Sequence, residues 1–242
     1  MPRSTRALAA PSLLIAATLL TSACQTKTQT PTPPTPATGS ATPASGSATP
    51  TSTPAAAAPT GPVTRARLLA ALPPAPTGSS PWKGKGGPAG LLTPAQYLTV
   101  EFGAKDGAKL LPAEKQTGLT FAAQRGWRQK GGTLVSVIVA DYRDRVGAKT
   151  SYLELEAGLE QSDAGDSDFT LPGAADSSGV GDPALDRDGN TESDLIVLAG
   201  SELLHVLVRA PGTVDRATTE AVALQAYTNL CALSDCTAGS TS

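Results

Sequence analysis

The chain has 242 residues, a formal net charge of −2, one His and three Cys, with 4% aromatic and 17% charged residues. These values exclude a coiled coil, a strongly basic nucleic-acid-binding protein and a disulfide-rich miniprotein. A single His leaves little room for chemistry based on several His residues. The composition divides the chain into a targeting segment, a low-complexity segment and a segment that holds all 21 acidic residues.

Residues 1–23 have the features of a bacterial secretory signal peptide. Two Arg residues precede an apolar run from Leu8 to Leu20, which is shorter than the ~20 residues that a membrane-spanning helix needs. The following Thr21-Ser22-Ala23-Cys24 resembles a lipobox. The resemblance implies cleavage before Cys24, lipidation of its thiol and a lipid anchor on the extracytoplasmic face of the cell membrane. The alternatives are an ordinary secretory signal and a signal anchor.

Residues 24–62 are predicted to be a disordered tether. Residues 25–62 contain 11 Thr, 9 Pro and 8 Ala, with no aromatic and no acidic residue. Such a segment cannot bury enough apolar area to offset its conformational entropy. As an extended polyproline II chain of ~3.1 Å per residue it would reach about 120 Å. We expect it to hold the globular domain, residues 63–238, away from the membrane, with 239–242 as a flexible tail.

The globular domain is predicted to begin with two helices. The first covers Arg65–Leu72 and ends at two Pro residues. The second begins at Thr93, an N-cap residue followed by Pro94 at the first helical position and by Gln96 at the position that completes a capping box. This helix is expected to end near Phe102-Gly103.

A β-hairpin and a third helix follow. Apolar residues alternate over Leu119–Arg128, which is typical of a half-buried strand, and Thr133–Tyr142 is a β-branched, more central strand. Gln129–Gly132 supplies the turn between them. Asp144 is the expected cap of a helix that ends near Gln161 and carries an apolar stripe of Ala148, Tyr152, Leu155 and Leu159.

The last part of the domain is predicted to contain three strands and a final helix. A short strand covers Phe169–Leu171, and Asp188-Gly189-Asn190 forms a turn. Two further strands, Asp194–Ala199 and Glu202–Arg209, meet at a tight turn. The final helix, about Asp215–Leu230, carries two apolar stripes, Ala217, Ala221 and Leu224 on one and Ala223, Tyr227 and Leu230 on the other. Because hairpins outnumber βαβ units, we expect an α+β fold with a mostly antiparallel sheet packed against helices.

At this level of organisation a family resemblance becomes visible. The features that carry this resemblance are Leu92–Tyr97, Gln124–Trp127, Asp141–Asp144 with Ala148, a hairpin and a final helix. Through them the chain resembles a group of largely uncharacterised actinobacterial surface lipoproteins. The layout of residues ~64–233 is also similar to LpqN-type and PknH-sensor-type extracytoplasmic domains of the PsbP-like kind. The resemblance implies a binding or sensing module and assigns no ligand residue.

Two groups of residues are candidates for special roles. Cys231 and Cys236 form an even pair in an exported domain once Cys24 is lipidated, which predicts a disulfide at the end of the last helix. Arg125, Trp127 and Arg128 are a candidate binding site for a polar ligand, through stacking and bidentate contacts, with a structural Trp as the alternative.

His205 and an acidic run bear on catalysis and metals. His205 is expected to be a partly buried sheet residue on the face of Leu203, Leu207 and Arg209, and the chain contains no Gly-x-Ser-x-Gly nucleophile motif. The acids from Asp186 to Asp194 suggest a Ca²⁺ loop, but Thr191 stands where an EF-hand needs Gly. No catalytic or metal site and no cofactor is therefore predicted.

The first functional hypothesis is a membrane-anchored surface lipoprotein whose domain binds an envelope component or a cell-wall or envelope protein partner, without catalysis and without nucleic acid. The alternatives are an enzyme acting on cell-wall polymer or lipid, and a carrier of a small molecule or lipid. A cleft with carboxylates converging near His205 would favour the enzyme, and a pocket lined by apolar side chains would favour the carrier.

Overall fold

The computed structural model of the chain describes residues 63–82, 89–162, 167–184, 188–233 and 236. The chain divides into two units, Met1–Ala56 and Ala57–Ser242, and every described residue lies in the second. The predicted signal peptide, Cys24, the tether and the tail at 239–242 lie outside the described residues. The elements are α1 (Arg65–Ala71), β1 (Ser80–Pro81), β2 (Ala89–Leu92), α2 (Pro94–Gln116), β3 (Leu119–Arg128), β4 (Leu134–Tyr142), α3 (Arg145–Ser162), β5 (Ser167–Phe169), β6 (Ser177–Asp182), β7 (Asn190–Ala199), β8 (Glu202–Pro211) and α4 (Arg216–Cys231).

The strands form one sheet in the order β1-β3-β4-β8-β7-β6-β5, with β2 also paired to β3. Every strand pair within the described part of the chain is antiparallel. The predicted α+β class, a mostly antiparallel sheet packed against helices, is therefore confirmed. The predicted hairpins are confirmed as β3–β4 and as β7–β8.

Helices cover both faces of this sheet and enclose two hydrophobic cores. Helices α1 and α4 pack on one face, where Val137, Val197 and Leu204 are fully buried in what we call the α1–α4 core. Helices α2 and α3 pack on the other face and enclose the α2–α3 core, which includes Ile196 and Leu203. The expectation that β3 is half-buried was wrong in this respect: its Ala122 and Gln124 are 0% exposed because the second helix layer covers that face.

Helix α2 begins as predicted and continues beyond the predicted end. Both hydrogen bonds of the Thr93–Gln96 capping box are present. The helical backbone breaks at Gly103, whose φ of 79° favours glycine, and then resumes to Gln116. The second half packs closely on the first, since a Cβ at Gly107 would lie 2.5 Å from the carbonyl oxygen of Leu98. The sequence analysis found the break but missed the second half.

Three strands were also missed, and their composition explains why. Strand β6 has the sequence Ser-Ser-Gly-Val-Gly-Asp, and β1 and β2 are two and four residues long. None of them has the β-branched or alternating pattern that identifies a strand from sequence. Each owes its conformation to hydrogen bonding with a longer neighbour, β7 for β6 and β3 for β1 and β2.

The other predicted boundaries are close to those observed. Strand β5 ends at Phe169, where the predicted strand began. Gly189, with φ of 78°, forms the predicted turn, and β7 begins directly after it at Asn190, four residues before the predicted start. Of the two apolar stripes on α4, the one with Ala223 and Leu230 is buried, and the other, Ala217, Ala221 and Leu224, is exposed.

Candidate functional site

The single His lies in a charged cluster on the α2–α3 face of the sheet. The His205 ring nitrogens lie 2.8 Å (Nδ1) from Glu101 Oε2 and 2.9 Å (Nε2) from Asp194 Oδ1. The side chains of His205, Glu101 and Asp194 are 17%, 6% and 17% exposed. The imidazole therefore joins helix α2 to strands β8 and β7 through two short polar contacts.

The sheet register explains how His205 and Asp194 meet. Ile196 pairs with His205 and Asp194 pairs with Leu207, so that Asp194 and His205 are diagonal neighbours on one face. The tight turn between β7 and β8 sets this register, and counting outward from it could have placed the pair from sequence. The expectation of a partly buried sheet histidine is confirmed. Glu101 was missed because no sequence signal links the last turn before Gly103 to β8.

The cluster holds His205 in its protonated form. Burial lowers the pKa of His205, but the charges of Glu101 and Asp194 and their hydrogen bonds outweigh burial and hold this pKa well above its usual value. In the imidazolium both ring nitrogens are donors, one to each carboxylate. An imidazolium has no lone pair with which to accept a proton, so the protonated ring orients the two carboxylates and cannot itself act as a general base.

A second ion pair continues the cluster toward solvent. Arg209 Nε lies 2.7 Å from Glu192 Oε2, and the two side chains are 38% and 34% exposed. These residues are direct partners in the β7–β8 register. Burial and the nearby charge of Asp194 raise the pKa of Glu192 to about 7, although Arg209 opposes the shift. Glu192 therefore changes its protonation state near neutral pH.

We call these five residues, Glu101, His205, Asp194, Glu192 and Arg209, the polar patch. On the same face, Leu207 is partly exposed beside it, whereas Leu203 and Ile196 at the opposite end lie beneath α2 and α3. The described helices thus cover one end of this sheet face and leave charged, partly exposed side chains at the other. The arrangement presents both signs of charge, with their positions fixed by mutual hydrogen bonds.

A buried carboxylate within the α2–α3 core has a different role. Glu114 is 6% exposed, and its Oε2 accepts hydrogen bonds from Tyr142, Ser151 and Thr117 at 3.2, 3.0 and 3.3 Å. Burial raises the pKa of Glu114 despite these donors. It joins α2 to β4 and α3 inside the protein, and the sequence analysis did not single it out.

The structure does not bring Arg125, Trp127 and Arg128 together as one exposed group. The Arg125 guanidinium donates to the carbonyl oxygens of Leu72 and Pro73 at 2.7 and 2.9 Å. Trp127 is 1% exposed in the α1–α4 core. Arg128 is exposed on the opposite face of β3. This geometry gives Arg125 and Trp127 structural contacts, and a ligand site on the three residues stays a prediction.

The cysteines and possible metal ligands complete the predicted site residues. Cys231 and Cys236 lie at disulfide distance, with 5.1 Å between their Cα atoms. Cys24 lies outside the described residues.

Within the described ranges, no group of three or more His, Cys, Asp or Glu side chains is arranged to hold a metal ion. Across those same ranges, no helix combines the length and hydropathy needed to cross a membrane.

Comparison with known proteins finds similarity among solved structures alone. No protein family and no curated protein matches the chain. The extracellular domain of PknH from Mycobacterium tuberculosis is similar, with 14% sequence identity and a TM-score of 0.45 over 70% of this chain and 97% of that one. The PknH-sensor type is one of the layouts that the sequence resembles. The lipoprotein and actinobacterial parts of that resemblance stay expectations.

Proposed function

We propose that the chain is a lipid-anchored, extracytoplasmic surface protein whose globular domain binds an envelope component or protein partner without catalysis. The observation that carries the binding role is the polar patch. It presents Asp194, Glu192 and Arg209 at the end of a sheet face that the described helices leave uncovered, and contacts within the patch fix them in place. A prearranged, partly exposed surface of mixed charge loses little side-chain entropy when a polar partner binds.

The proposal does not use His205 as a general base. A protonated ring that donates both N–H groups cannot abstract a proton, and loss of a ring proton would leave the buried Glu101 and Asp194 carboxylates without a positive charge between them. The converging carboxylates are nevertheless the specific observation that favours the alternative, an enzyme acting on cell-wall polymer or lipid. The protonation state of His205 separates the two: nitrogen chemical shifts of an imidazolium at pH 7.5 support binding, and those of a neutral ring favour the enzyme.

Binding at the polar patch is tested by cross-linking in intact cells that produce the full chain. A photo-reactive amino acid replaces Leu207, beside the patch, and in a matched control it replaces Leu224, which is 47% exposed on α4. We expect an adduct at position 207 only, reduced at least fivefold by Arg209→Glu in the same chain. Equal adducts at both positions, or none at 207, would contradict the proposal.

The anchor is tested separately. Labelled palmitate is expected to enter the wild-type chain and not the Cys24→Ala variant. Equal labelling of both chains would contradict the lipid anchor and leave the binding experiment unaffected.

A further inference from the structure

The outer face of α3 carries an apolar stripe that the described part of the chain leaves uncovered. Val146 is 77% exposed and Leu153 is 49% exposed. Thr150 and Ala157 are also exposed and fall on the same side, at spacings of four, three and four residues along the helix. The opposite side of α3, with Ala148 and Tyr152, packs into the α2–α3 core. We call Val146, Thr150, Leu153 and Ala157 the α3 stripe.

The charges beside the α3 stripe are divided between the two halves of the helix. Arg145 and Lys149 lie in the first half, and Glu154 and Glu156 lie in the second; the first turn carries no acidic residue and the last turn no basic one. This order opposes the helix dipole, which favours acids at the N-terminus and bases at the C-terminus. Asp176 pairs with both basic residues, at 3.0 and 2.9 Å, and so balances part of the unfavourable charge.

We propose that the α3 stripe binds the α3 stripe of a second copy of the chain, with the two helices antiparallel and related by a two-fold axis. This orientation sets the basic half of each helix against the acidic half of the other. On the flank of the α3 stripe that carries Arg145 and Lys149, Glu156 of the second copy then lies at a level between these two residues, and Val146 lies at the level of Ala157. A parallel arrangement would place like charges side by side, which costs free energy.

The exposed face of α4 supplies a comparison. Its stripe of Ala217, Ala221 and Leu224 is also exposed, but its two charged residues, Arg216 and Glu220, have opposite signs and both lie in the first half of the helix. The combination of apolar side chains with complementary ends therefore distinguishes α3 from α4. Small residues at 150 and 157 let the two helix backbones approach closely.

The size of the contact predicts a weak complex. A single helix face buries less than the about 800 Å² per partner of a typical stable interface. We therefore expect dissociation constants in the micromolar range or above, so that association depends on protein concentration.

Cysteine cross-linking of the full chain in detergent, in a Cys24→Ser background, tests the orientation. Val146→Cys chains are mixed with Ala157→Cys chains and oxidised. In the antiparallel pair these positions are opposite each other, whereas two copies of position 146 are eleven residues apart along the axis, about 16 Å, beyond the ~7 Å that a disulfide spans between Cα atoms. We expect at least tenfold more dimer in the mixture than in either variant alone.

The matched control uses Ala217→Cys and Thr228→Cys chains, which have the same spacing on the exposed face of α4 and are expected to give no dimer. Dimer from Val146→Cys alone, or no more dimer from the mixture than from the α4 control, would overturn the proposal. A second measurement does not need cysteines: in sedimentation equilibrium, Leu153→Glu is expected to weaken self-association at least tenfold and Leu224→Glu to leave it unchanged. Equal effects of the two substitutions would likewise overturn it.

Discussion

On the α1–α4 face of the sheet, the central side chains of β4 and β8 are aliphatic, from Val135 to Val139 and from Leu204 to Val208. On the opposite face the same strands change character along their length: Leu203 lies beneath α2 and α3, whereas His205 and Arg209 form ion pairs at the other end. The centre of one face therefore gains its stability from apolar burial, and the other face combines apolar burial with charges that fix positions and remain partly exposed. A strand can thus contribute to an apolar core and to a partly exposed charged surface from alternate residues.

The largest expected effect comes from removing the cation of the polar patch. His205→Leu leaves Glu101 and Asp194 facing each other without a positive charge between them. Removing one partner of a buried ion pair costs several kcal/mol, so we expect a loss of about 4 kcal/mol in the free energy of unfolding at pH 7. Urea denaturation measures this value.

The control for this prediction neutralises the carboxylates. In a chain that already carries Glu101→Gln and Asp194→Asn, adding His205→Leu is expected to cost less than half as much, because no buried charge is left unbalanced. An equal cost in both backgrounds would mean that the ring contributes packing alone, and the contrast between the two faces would fail.

The corresponding change on the other face is Leu204→Ala. Leu204 is 0% exposed in the α1–α4 core, and the cavity left by such a truncation costs about 3 kcal/mol. Since no charge is involved, we expect this loss to be the same at pH 5 and pH 8. The same urea experiment at both pH values checks it, and a loss that changes with pH would show that the α1–α4 face is not purely apolar in its energetics.

The covalent restraint beside the α1–α4 core is expected to have a smaller effect. A disulfide between Cys231 and Cys236 closes a short loop after α4, near Leu233, whose carbonyl oxygen accepts a hydrogen bond from Arg67 of α1. Closing so short a loop is worth about 2 kcal/mol, so Cys231→Ser with Cys236→Ser should cost about that amount. Mass spectrometry of the unreduced peptide checks the bond itself, and free thiols under oxidising conditions would contradict it.

The fold could be predicted from sequence wherever a local pattern was strong. The capping box at Thr93, the β-branched run of β4 and the turn between β7 and β8 each specify a local conformation, and the antiparallel sheet follows from joining them. Strand β6 could not be predicted, because its Gly and Ser residues take their conformation from hydrogen bonds to β7. Local chemistry carries no information about a partner that is distant in sequence.

The same distinction applies to the candidate site. The Asp194–His205 contact follows from hairpin register within 11 residues, whereas Glu101 contacts His205 across 104 residues of sequence. The helix break at Gly103 was visible in sequence, but the direction in which α2 then packs was not. For Arg125 the charge suggested a ligand site, which stays a prediction, and the structure shows that the guanidinium donates to the carbonyl oxygens of Leu72 and Pro73 after α1.

The smallest expected effect is a change in pH dependence at the exposed end of the polar patch. Folding raises the pKa of Glu192 from 4.5 to about 7. Between these values the folded protein binds a proton that the unfolded chain has released, so this group makes the free energy of unfolding fall as pH rises from about 4.5 to 7. The contribution of His205 to the free energy of unfolding is fully present below pH 6.5 and is lost only as pH rises through its raised pKa. The effect of His205 on stability therefore falls at higher pH than that of Glu192. Glu192→Gln should therefore make the free energy of unfolding depend less on pH, and only between pH 4.5 and 7.

Because Glu192 is one third exposed, solvent screens the charge and we expect a change of less than about 1 kcal/mol across that window. At pH 5 the wild-type side chain is protonated and resembles Gln, so the two proteins should have nearly equal stability there, and the variant should gain relative to the wild type by pH 8. A carboxyl NMR titration gives an independent measure, with a midpoint expected above 4.5 for Glu192 and lowered toward 4.5 by the same screening. A midpoint near 4.5, or two parallel stability curves, would show that Asp194 and burial do not act on Glu192, and that the charged end of this face is electrostatically an ordinary surface.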